Sequence, residues 1–364
     1  MSVRQRLSSE RGFSMLELLV SSAIMMVVTA AIFSMVNPSE GTARSQPEVS
    51  DLQQRMRIGS DTLFKELMMA GAGPYFGDRT GSLLNYFAPV LPRRVGMLTA
   101  DAKTVFRSDT LTLSYVPNSY SQTSISQAMP PTSTELKVTY PPNCQVPKVL
   151  CGFEQGQTVI IFDNTGHFDT FTLTEVQNDA AHVQHRGDQF NYSYDAGSTI
   201  TQIVTYTFYR NPATNQLMRY DGTATDVPIV DNVVDLRFDY FGDPAPPTKP
   251  DPGVAGGANC LYDAMHNLIG LETLTADEGS LAILDPAQLA DGPWCGGGDT
   301  EFDADLLRVR KIRVTLRMQA SDASLRGSNP LLFVNPGRAT QSMTMVPDYV
   351  VRFDVTPRNL NLIR

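Results

Sequence analysis

One apolar stretch near the N-terminus constrains this chain more than any other feature of its sequence. The stretch from Phe13 to Val36 contains a single charged side chain, that of Glu17. As an α-helix it is roughly 36 Å long, at about 1.5 Å per residue, which is enough to cross a hydrocarbon core of about 30 Å. The sequence therefore predicts a membrane-spanning helix.

Glu17 distinguishes this helix from a simple anchor. An ionised carboxylate inside a membrane-spanning helix costs on the order of 2.5 to 3.5 kcal/mol on insertion scales, so such a residue is a functional candidate. The charge is explained if the chain is cut between Gly12 and Phe13, because the new α-amine then lies one helical turn from Glu17. The carboxylate is expected to pair with this amine or with that of a neighbouring helix.

The segment RGFSMLELLV resembles the cleavage signal of type IV prepilins and type II secretion pseudopilins. In that family a short basic leader ends in Gly, Phe follows, and Glu is the fifth residue of the mature chain. Gly12, Phe13 and Glu17 match this pattern. The resemblance implies that residues 1–12 are a leader, that a prepilin peptidase cuts after Gly12 and methylates Phe13 to N-methylphenylalanine, and that Glu17 serves assembly.

An alternative interpretation is a secretory signal peptide with a basic region at Arg4, Arg6 and Arg11 and a cleavage site near residues 29–31. The charge of Glu17 within the apolar core and the length of the run favour the prepilin interpretation. Both interpretations keep the basic leader in the cytoplasm and export the remainder.

The sequence after the apolar helix, over residues 37–76, indicates a kink followed by an amphipathic helix. Asn37 and Pro38 end the apolar run and indicate a kink or a break. Helical spacing of apolar residues then resumes between Pro47 and Ala70, and two glycines end it. The apolar positions are Val49, Leu52, Met56, Leu63 and Leu67, and the glycines are Gly71 and Gly73. The segment 51–77 resembles the one that follows the anchor in PilW-type and PulJ-type minor pilins.

From residue 77 to residue 364 the apolar pattern changes to a period of two, which is typical of half-buried antiparallel strands. The turn at 163–166 predicts a hairpin. Parts of this region also resemble PilW-type proteins. The predicted class is therefore α+β and pilin-like: a long N-terminal helix, half transmembrane and half amphipathic, packed on an antiparallel β-sheet domain. Strands are predicted at Leu111–Tyr115, Leu136–Tyr140, Val159–Phe162, Phe168–Leu173, Val204–Phe208, Val234–Tyr240, Ile312–Met318 and Tyr349–Val355.

Residues 242–305 interrupt the strand pattern and are interpreted as an insertion. They are rich in Pro and Gly and predict two short helical pieces, at Leu261–Leu271 and Leu281–Leu289. A loop of this length within a compact domain is usually functional or cross-linked.

The four cysteines are even in number and show no CxxC spacing, which disfavours metal and redox chemistry. Export to an oxidising compartment favours disulfides, and three pairings are open. Cys144–Cys151 and Cys260–Cys295 close the shortest loops and are the favoured pairs, with free buried thiols as the alternative.

The sequence contains no hydrolase, metalloprotease or nucleotide-binding motif, so nothing in it indicates an enzyme. Four carboxylates, Asp299, Glu301, Asp303 and Asp305, alternate after three glycines and are candidate calcium ligands. They do not form an EF-hand, because Arg310 occupies the position of the bidentate glutamate, and a solvated acidic loop is the favoured interpretation. Apart from calcium, no cofactor is expected.

A net charge of −9 disfavours nucleic acid as a partner. The favoured function is that of a PilW-type minor pilin in a type IV pilus. Its expected partners are a prepilin peptidase, other minor and major pilins and a PilY-type tip protein. Its precursor is expected in the inner membrane, with the body in the periplasm, before it joins the fibre at the cell surface. The alternatives are a PulJ-type minor pseudopilin of type II secretion, a membrane-anchored adhesin or ligand-binding module that uses the insertion, and a secreted hydrolase.

Overall fold

The computed structural model of the chain describes residues 12–76, 79–117, 120–141, 144–187, 189–253, 256–340 and 344–362. The predicted leader, apart from Gly12, lies outside these residues. The chain divides into two compact units. The first comprises Met1–Gln53 and Ala320–Asp348, and the second comprises Gln54–Gln319 and Tyr349–Arg364.

A single helix, α1, extends over 55 residues from Met15 to Met69. Its backbone remains helical through Asn37 and Pro38, so the predicted break does not occur. An interior proline removes one hydrogen bond and costs about 3 kcal/mol, which a long helix with many intact turns on either side can tolerate. The predicted end is correct, since the helix stops at Met69 and Gly71 has a φ of +76°.

The first unit has a small core around Leu52, which packs with Ala320, Leu325 and Val346. Within the same unit Glu48 accepts hydrogen bonds from the backbone nitrogen and the hydroxyl of Ser321, at 2.6 and 2.8 Å. Val49 was expected on the buried face, but its side chain is 38% exposed. The expectation fails there because the apolar cluster around Leu52 does not extend one turn further along the helix.

The second unit contains every strand found in the described part of the chain. In chain order these are β1 (Tyr75–Phe76), β2 (Arg79–Thr80), β3 (Val90–Leu91), β4 (Thr110–Tyr115), β5 (Gln122–Ser124), β6 (Glu135–Lys137), β7 (Thr158–Phe162), β8 (Phe168–Thr172), β9 (Glu175–Gln177), β10 (His182–Gln184), β11 (Thr199–Gln202), β12 (Val204–Asn211), β13 (Gln216–Tyr220), β14 (Asp226–Asp231), β15 (Val233–Gly242), β16 (Ala282–Leu284), β17 (Trp294–Cys295), β18 (Phe302–Asp303), β19 (Val309–Met318) and β20 (Tyr349–Val355).

These strands pair antiparallel throughout. The three larger sheets have the strand orders β14-β13-β12-β4-β3, β5-β11-β7-β8 and β16-β15-β19-β20, and the smaller ones are β6-β10-β9, β1-β2 and β17-β18. The predicted α+β class is confirmed.

The main core of the second unit joins the amphipathic end of α1 to the β15–β19 ladder. Leu63 and Leu67 are completely buried, as are Leu316 and Met318 on β19, and all four belong to one apolar cluster. Gly59 lies so close to β19 that an added Cβ would be 3.1 Å from Met318 and 3.2 Å from Leu316. The amphipathic face is therefore buried by a sheet, as its spacing predicts.

Several predicted strands are shorter or more exposed than their patterns indicate. β6 ends at Lys137, and Tyr140 is 39% exposed, because its hydroxyl donates to the carbonyl oxygens of the 178–179 turn instead of entering the core. β20 is an edge strand in which only Val355 is fully buried, while Tyr349 is 48% exposed.

The two helical pieces predicted in the insertion do not form. Between Leu261 and Leu271 the carboxylate of Asp263 accepts hydrogen bonds from the backbone nitrogens of Met265 and Asn267, which favours a turn over a helix. In the second piece Ala282–Leu284 forms β16, because it pairs with the end of β15 and buries Ala282 and Leu284. Tertiary pairing thus overrides local helical spacing.

Candidate processing and assembly site

The first turn of α1 is fixed by two reciprocal hydrogen bonds between Ser14 and Glu17. The backbone nitrogen of Glu17 donates to the Ser14 hydroxyl at 3.1 Å, and the backbone nitrogen of Ser14 donates to Glu17 Oε2 at 3.3 Å. This is a capping box, which satisfies two N–H groups at a helix start that would otherwise lack partners. The S-x-x-E spacing is a sequence signal for it that the sequence analysis missed.

The capping box holds the Glu17 carboxylate at the start of the helix, next to Phe13. A negative charge is favourable there because the helix dipole is positive at its N-terminus. Glu17 Oε1 makes no hydrogen bond to any residue that the structure describes. One carboxylate oxygen is therefore engaged within the turn and the other remains available to a cation.

The Gly12–Phe13 bond precedes this turn and is open to solvent. Gly12 is exposed, with no atom within 4 Å of an added Cβ, and Phe13 is 86% exposed. Such a bond is accessible to a peptidase, and the adjacent capping box marks the point where regular helix begins.

The segment that follows is apolar and exposed. Met15–Met35 has a mean hydropathy of 2.2 and is the one helical segment, in the part of the chain described, that is long and apolar enough to cross a membrane. Its large apolar side chains are all exposed, from 51% at Val20 to 90% at Met15. A lipid bilayer or neighbouring apolar helices would remove this surface from water.

Residues 7–33 match the family profile of the prokaryotic N-terminal methylation motif. The match includes Gly12, Phe13, Ser14 and Glu17. It supports a type IV pilin-like protein, a class that is structural rather than enzymatic. The motif implies processing by a prepilin peptidase, association with other pilins and a membrane-anchored precursor. No curated protein matches the chain.

The body of the chain carries two disulfides, and their pairing is the one favoured from the sequence. Cys144 is bonded to Cys151 and Cys260 to Cys295, with Cα–Cα distances of 5.5 and 5.0 Å. The second disulfide links two points of the insertion that are 35 positions apart.

Of the described carboxylates proposed as calcium ligands, Glu301 does not join Asp303 and Asp305 in one cluster. The side chain of Asp299 lies outside the described residues, and Glu301 forms an ion pair with Lys103. Asp303 and Asp305 instead approach Asp291, with one oxygen of each within 4.8 Å of the others. Asp291 is missing from the sequence prediction because it is twelve positions before Asp303 and approaches it only in the fold. Calcium binding stays a prediction, with these three carboxylates as its candidate ligands.

Asp303 and Asp305 are buried, and burial determines their protonation. Burial raises the pKa of Asp303 to about 6, although its carboxylate accepts hydrogen bonds from the backbone nitrogens of Gly292 and Asp305. Burial also raises the pKa of Asp305, and the charge of Arg308 at 2.5 Å opposes this shift.

Arg308 is a buried residue that sequence analysis did not single out. Besides its ion pair with Asp305, its guanidinium donates to the carbonyl oxygens of Pro244 at 2.8 Å and Glu272 at 2.7 Å. It therefore ties two distant parts of the insertion to the turn that precedes β19.

Proposed function

We propose that this chain is a PilW-type minor pilin that enters the inner membrane as a prepilin, is cut after Gly12 and methylated at Phe13, and joins a type IV pilus. In this proposal the body of the protein folds in the periplasm before the subunit enters the fibre. Its proposed partners are the prepilin peptidase, other minor and major pilins and a PilY-type tip protein.

One observation carries the proposal: the methylation motif opens directly into a capped helix whose far end forms part of a sheet core. The capping box places the helix start two residues after the proposed cleavage point. The same helix then contributes Leu63 and Leu67 to the buried core of the second unit. A chain built in this way has an apolar segment for packing among other helices and a folded domain attached to it by continuous secondary structure.

Processing is tested by mass spectrometry of the mature chain isolated from the envelope. We expect an N-terminal peptide that begins at Phe13 and carries one methyl group on its amine. As a matched control, Gly12→Val should leave the uncut precursor in the membrane, while the helix and the sheet domain are unchanged, since no atom of the described residues lies within 4 Å of a Cβ added at Gly12. An N-terminus near residue 31 in the wild-type chain would instead show secretory signal processing and contradict the proposal.

The finer choice between a pilus subunit and a PulJ-type pseudopilin is tested by gene deletion. The proposal expects surface pili to be lost or reduced while proteins exported by type II secretion still reach the medium. The opposite pattern would assign the chain to a secretion system, and intact pili that no longer attach to surfaces would assign it to an adhesin.

A further inference from the structure

A cleft of about 590 Å³ lies within the second unit, away from the methylation motif, and Thr300 of the insertion contributes to its lining. Its lining comes from the five-stranded sheet that contains β4 and β12 and from the four-stranded sheet that contains β7 and β8. This volume is typical of small-molecule sites, which range over about 300–1,000 Å³. The function proposed above does not use this cleft.

The floor of the cleft is apolar and partly aromatic. Phe87 and Phe168 stack with ring centroids 4.7 Å apart, and both are buried, as are Leu91 and Ile160 beside them. The floor therefore offers a small apolar contact surface to a ligand.

One wall of the cleft is a row of hydroxyl groups on the β7–β8 hairpin. Thr158 is paired directly with Thr172, and Ile160 with Thr170, so the three threonines occupy the same face of the hairpin. Among the residues that the structure describes, none of these three hydroxyls has a hydrogen-bond partner. They are free to bind a ligand.

The opposite wall also carries hydroxyl and amide groups. The hydroxyls of Ser114 and Thr205 are 3.0 Å apart, and either can be the donor. Gln202 also lines the cleft. Because a hydroxyl can donate and accept, both walls can bind a partner whose groups do the same.

The cleft carries almost no charge. Its lining contains no Lys, Arg or His, and its one carboxylate belongs to Asp221. Asp221 Oδ1 is already occupied, because it accepts hydrogen bonds from the backbone nitrogens of Thr223, Ala224 and Thr225 at 2.9 to 3.0 Å. An anionic ligand would find no counter-charge here.

The rim of the cleft is fixed before any ligand binds. The backbone nitrogen of Met97 donates to the carbonyl oxygen of Gly222 at 3.0 Å, which joins two loops across the rim. Gly96 has a φ of +121°, and a Cβ there would collide with Gly222. Two glycines thus permit the close approach of these loops, and the cleft is preformed.

We propose that this cleft binds a neutral saccharide, one or two sugar rings in size. A sugar ring presents an apolar C–H face, which suits the Phe87–Phe168 floor, and hydroxyls that both donate and accept, which suit the threonine row. A charged ligand would lose its hydration without a counter-charge, and a wholly apolar ligand would leave the wall hydroxyls without partners. The cleft gives the chain a binding function in addition to assembly.

The test is a titration of the purified full chain, held in phospholipid nanodiscs because many detergents carry sugar headgroups. The probes are glucose, galactose, N-acetylglucosamine, maltose and lactose, with glucose 6-phosphate and octanol as charged and apolar comparators. Binding is followed by saturation-transfer NMR and calorimetry. The variant is Thr170→Val/Thr172→Val, which keeps the shape of two exposed side chains and removes their hydroxyls. The matched control is Thr275→Val, an exposed threonine outside the cleft.

We expect at least one neutral saccharide to bind, with its affinity lowered tenfold or more in the double variant and unchanged in Thr275→Val. A second variant, Thr172→Phe, fills the cleft and should abolish binding while the unfolding transition stays that of the wild type. The proposal is overturned if no neutral sugar binds at millimolar concentration, if the double variant binds as well as wild type, or if only a comparator binds. None of these outcomes bears on cleavage after Gly12.

Discussion

Asp303 is fully buried, and its carboxylate both caps the helical turn Ala304–Arg308 and titrates near pH 6. A carboxyl group whose pKa is raised in the folded state binds more protons there than in the unfolded chain. Its contribution to stability is therefore fully present below its unfolded pKa of 3.8 and is lost as the pH rises through about 6. The ionised form is buried next to Asp305, and no cation among the described residues forms an ion pair with it.

We expect the free energy of unfolding of the wild type, relative to Asp303→Asn, to fall between about pH 4 and about pH 7. Asn keeps an oxygen that can cap the turn but does not titrate in this range. The measurement is urea unfolding at both pH values, followed by the fluorescence of Trp294, the single tryptophan of the chain. A difference that stays constant or grows with pH would contradict the raised pKa.

The same pair of proteins tests the calcium prediction. A divalent cation at Asp291, Asp303 and Asp305 would offset the repulsion between ionised carboxylates. Calcium should therefore raise the midpoint of unfolding of the wild type at pH 7 and leave Asp303→Asn unchanged. Equal shifts of the unfolding midpoint in both proteins, or no shift in either, would show that these three carboxylates do not bind calcium.

Among the elements, the amphipathic end of α1 holds the helix to the sheet of the second unit. Leu63 is completely buried, and we expect Leu63→Ala to lower the free energy of unfolding by about 2 to 5 kcal/mol, since it removes apolar contacts and leaves a cavity. Ile58→Ala, five residues earlier and 45% exposed, is the control and should change it by no more than about 1 kcal/mol. Similar losses for both variants would contradict the assignment of the effect to the burial of Leu63, because Ala favours the helix at both positions.

The two disulfides allow a second prediction at this scale. In the chain-entropy model, a disulfide that closes a longer loop stabilises the folded state more. The model gives about 4 kcal/mol for the disulfide with the 35-residue separation and about 2 kcal/mol for the one with the 7-residue separation. Cys260→Ala/Cys295→Ala should therefore lose more stability than Cys144→Ala/Cys151→Ala. It should also admit proteases mainly within residues 244–300, with cleavage after Gly12 unaffected. Equal losses in both variants would contradict the loop-length argument.

The sequence could predict those elements whose residue patterns are local. The β7–β8 hairpin follows from a turn in which Asp163 accepts from the backbone of Thr165 and Gly166 has a positive φ. β15 and β19 follow from strict alternation, and Gly12, Phe13 and Glu17 follow from a motif. What failed depends on contacts far apart in sequence: β16 is a strand because β15 pairs with it, and Asp291 meets Asp303 only in the fold. The cleft, built from two sheets, left no contiguous pattern to detect.

For the whole molecule, the proposed assembly into a fibre requires a partner for Glu17 Oε1. Removing one partner of a buried ion pair costs roughly 3 to 5 kcal/mol, so a carboxylate among packed apolar helices needs a cation. In the proposed fibre, the cation available to Glu17 would be the methylated amine of a neighbouring subunit nearer the tip. A subunit at the extreme tip has no such neighbour, so this chain is expected beneath at least one other minor subunit.

We expect Glu17→Ala to be cut after Gly12, to lose co-purification with that partner and to reduce the number of fibres. Glu17→Gln separates the two roles of this residue, because Gln preserves the capping box but carries no charge, and it should fail in the same way. Ser14→Ala is the control, since it removes the cap, at about 1 kcal/mol, and keeps the carboxylate, so the partner should still be recovered. Wild-type recovery and fibre number in Glu17→Gln would show that the carboxylate acts only within its own helix.

The missing side chain of Gly59 bears on how a fibre subunit carries mechanical load. In the proposed fibre, tension would enter each subunit along its helix and pass into the sheet by shear across the contact between them. At Gly59 the side chains of Met318, Leu316 and Val230 occupy the space beside the helix backbone, each within 3.3 Å of where a Cβ would be. For the helix to slide along its axis, these three side chains would first have to move out of the space beside Gly59 and pass over a side chain of the neighbouring helical turn. This interlocking contact at Gly59 therefore resists sliding of the helix under a sustained pulling force. An apolar contact without such interlocking would resist it less.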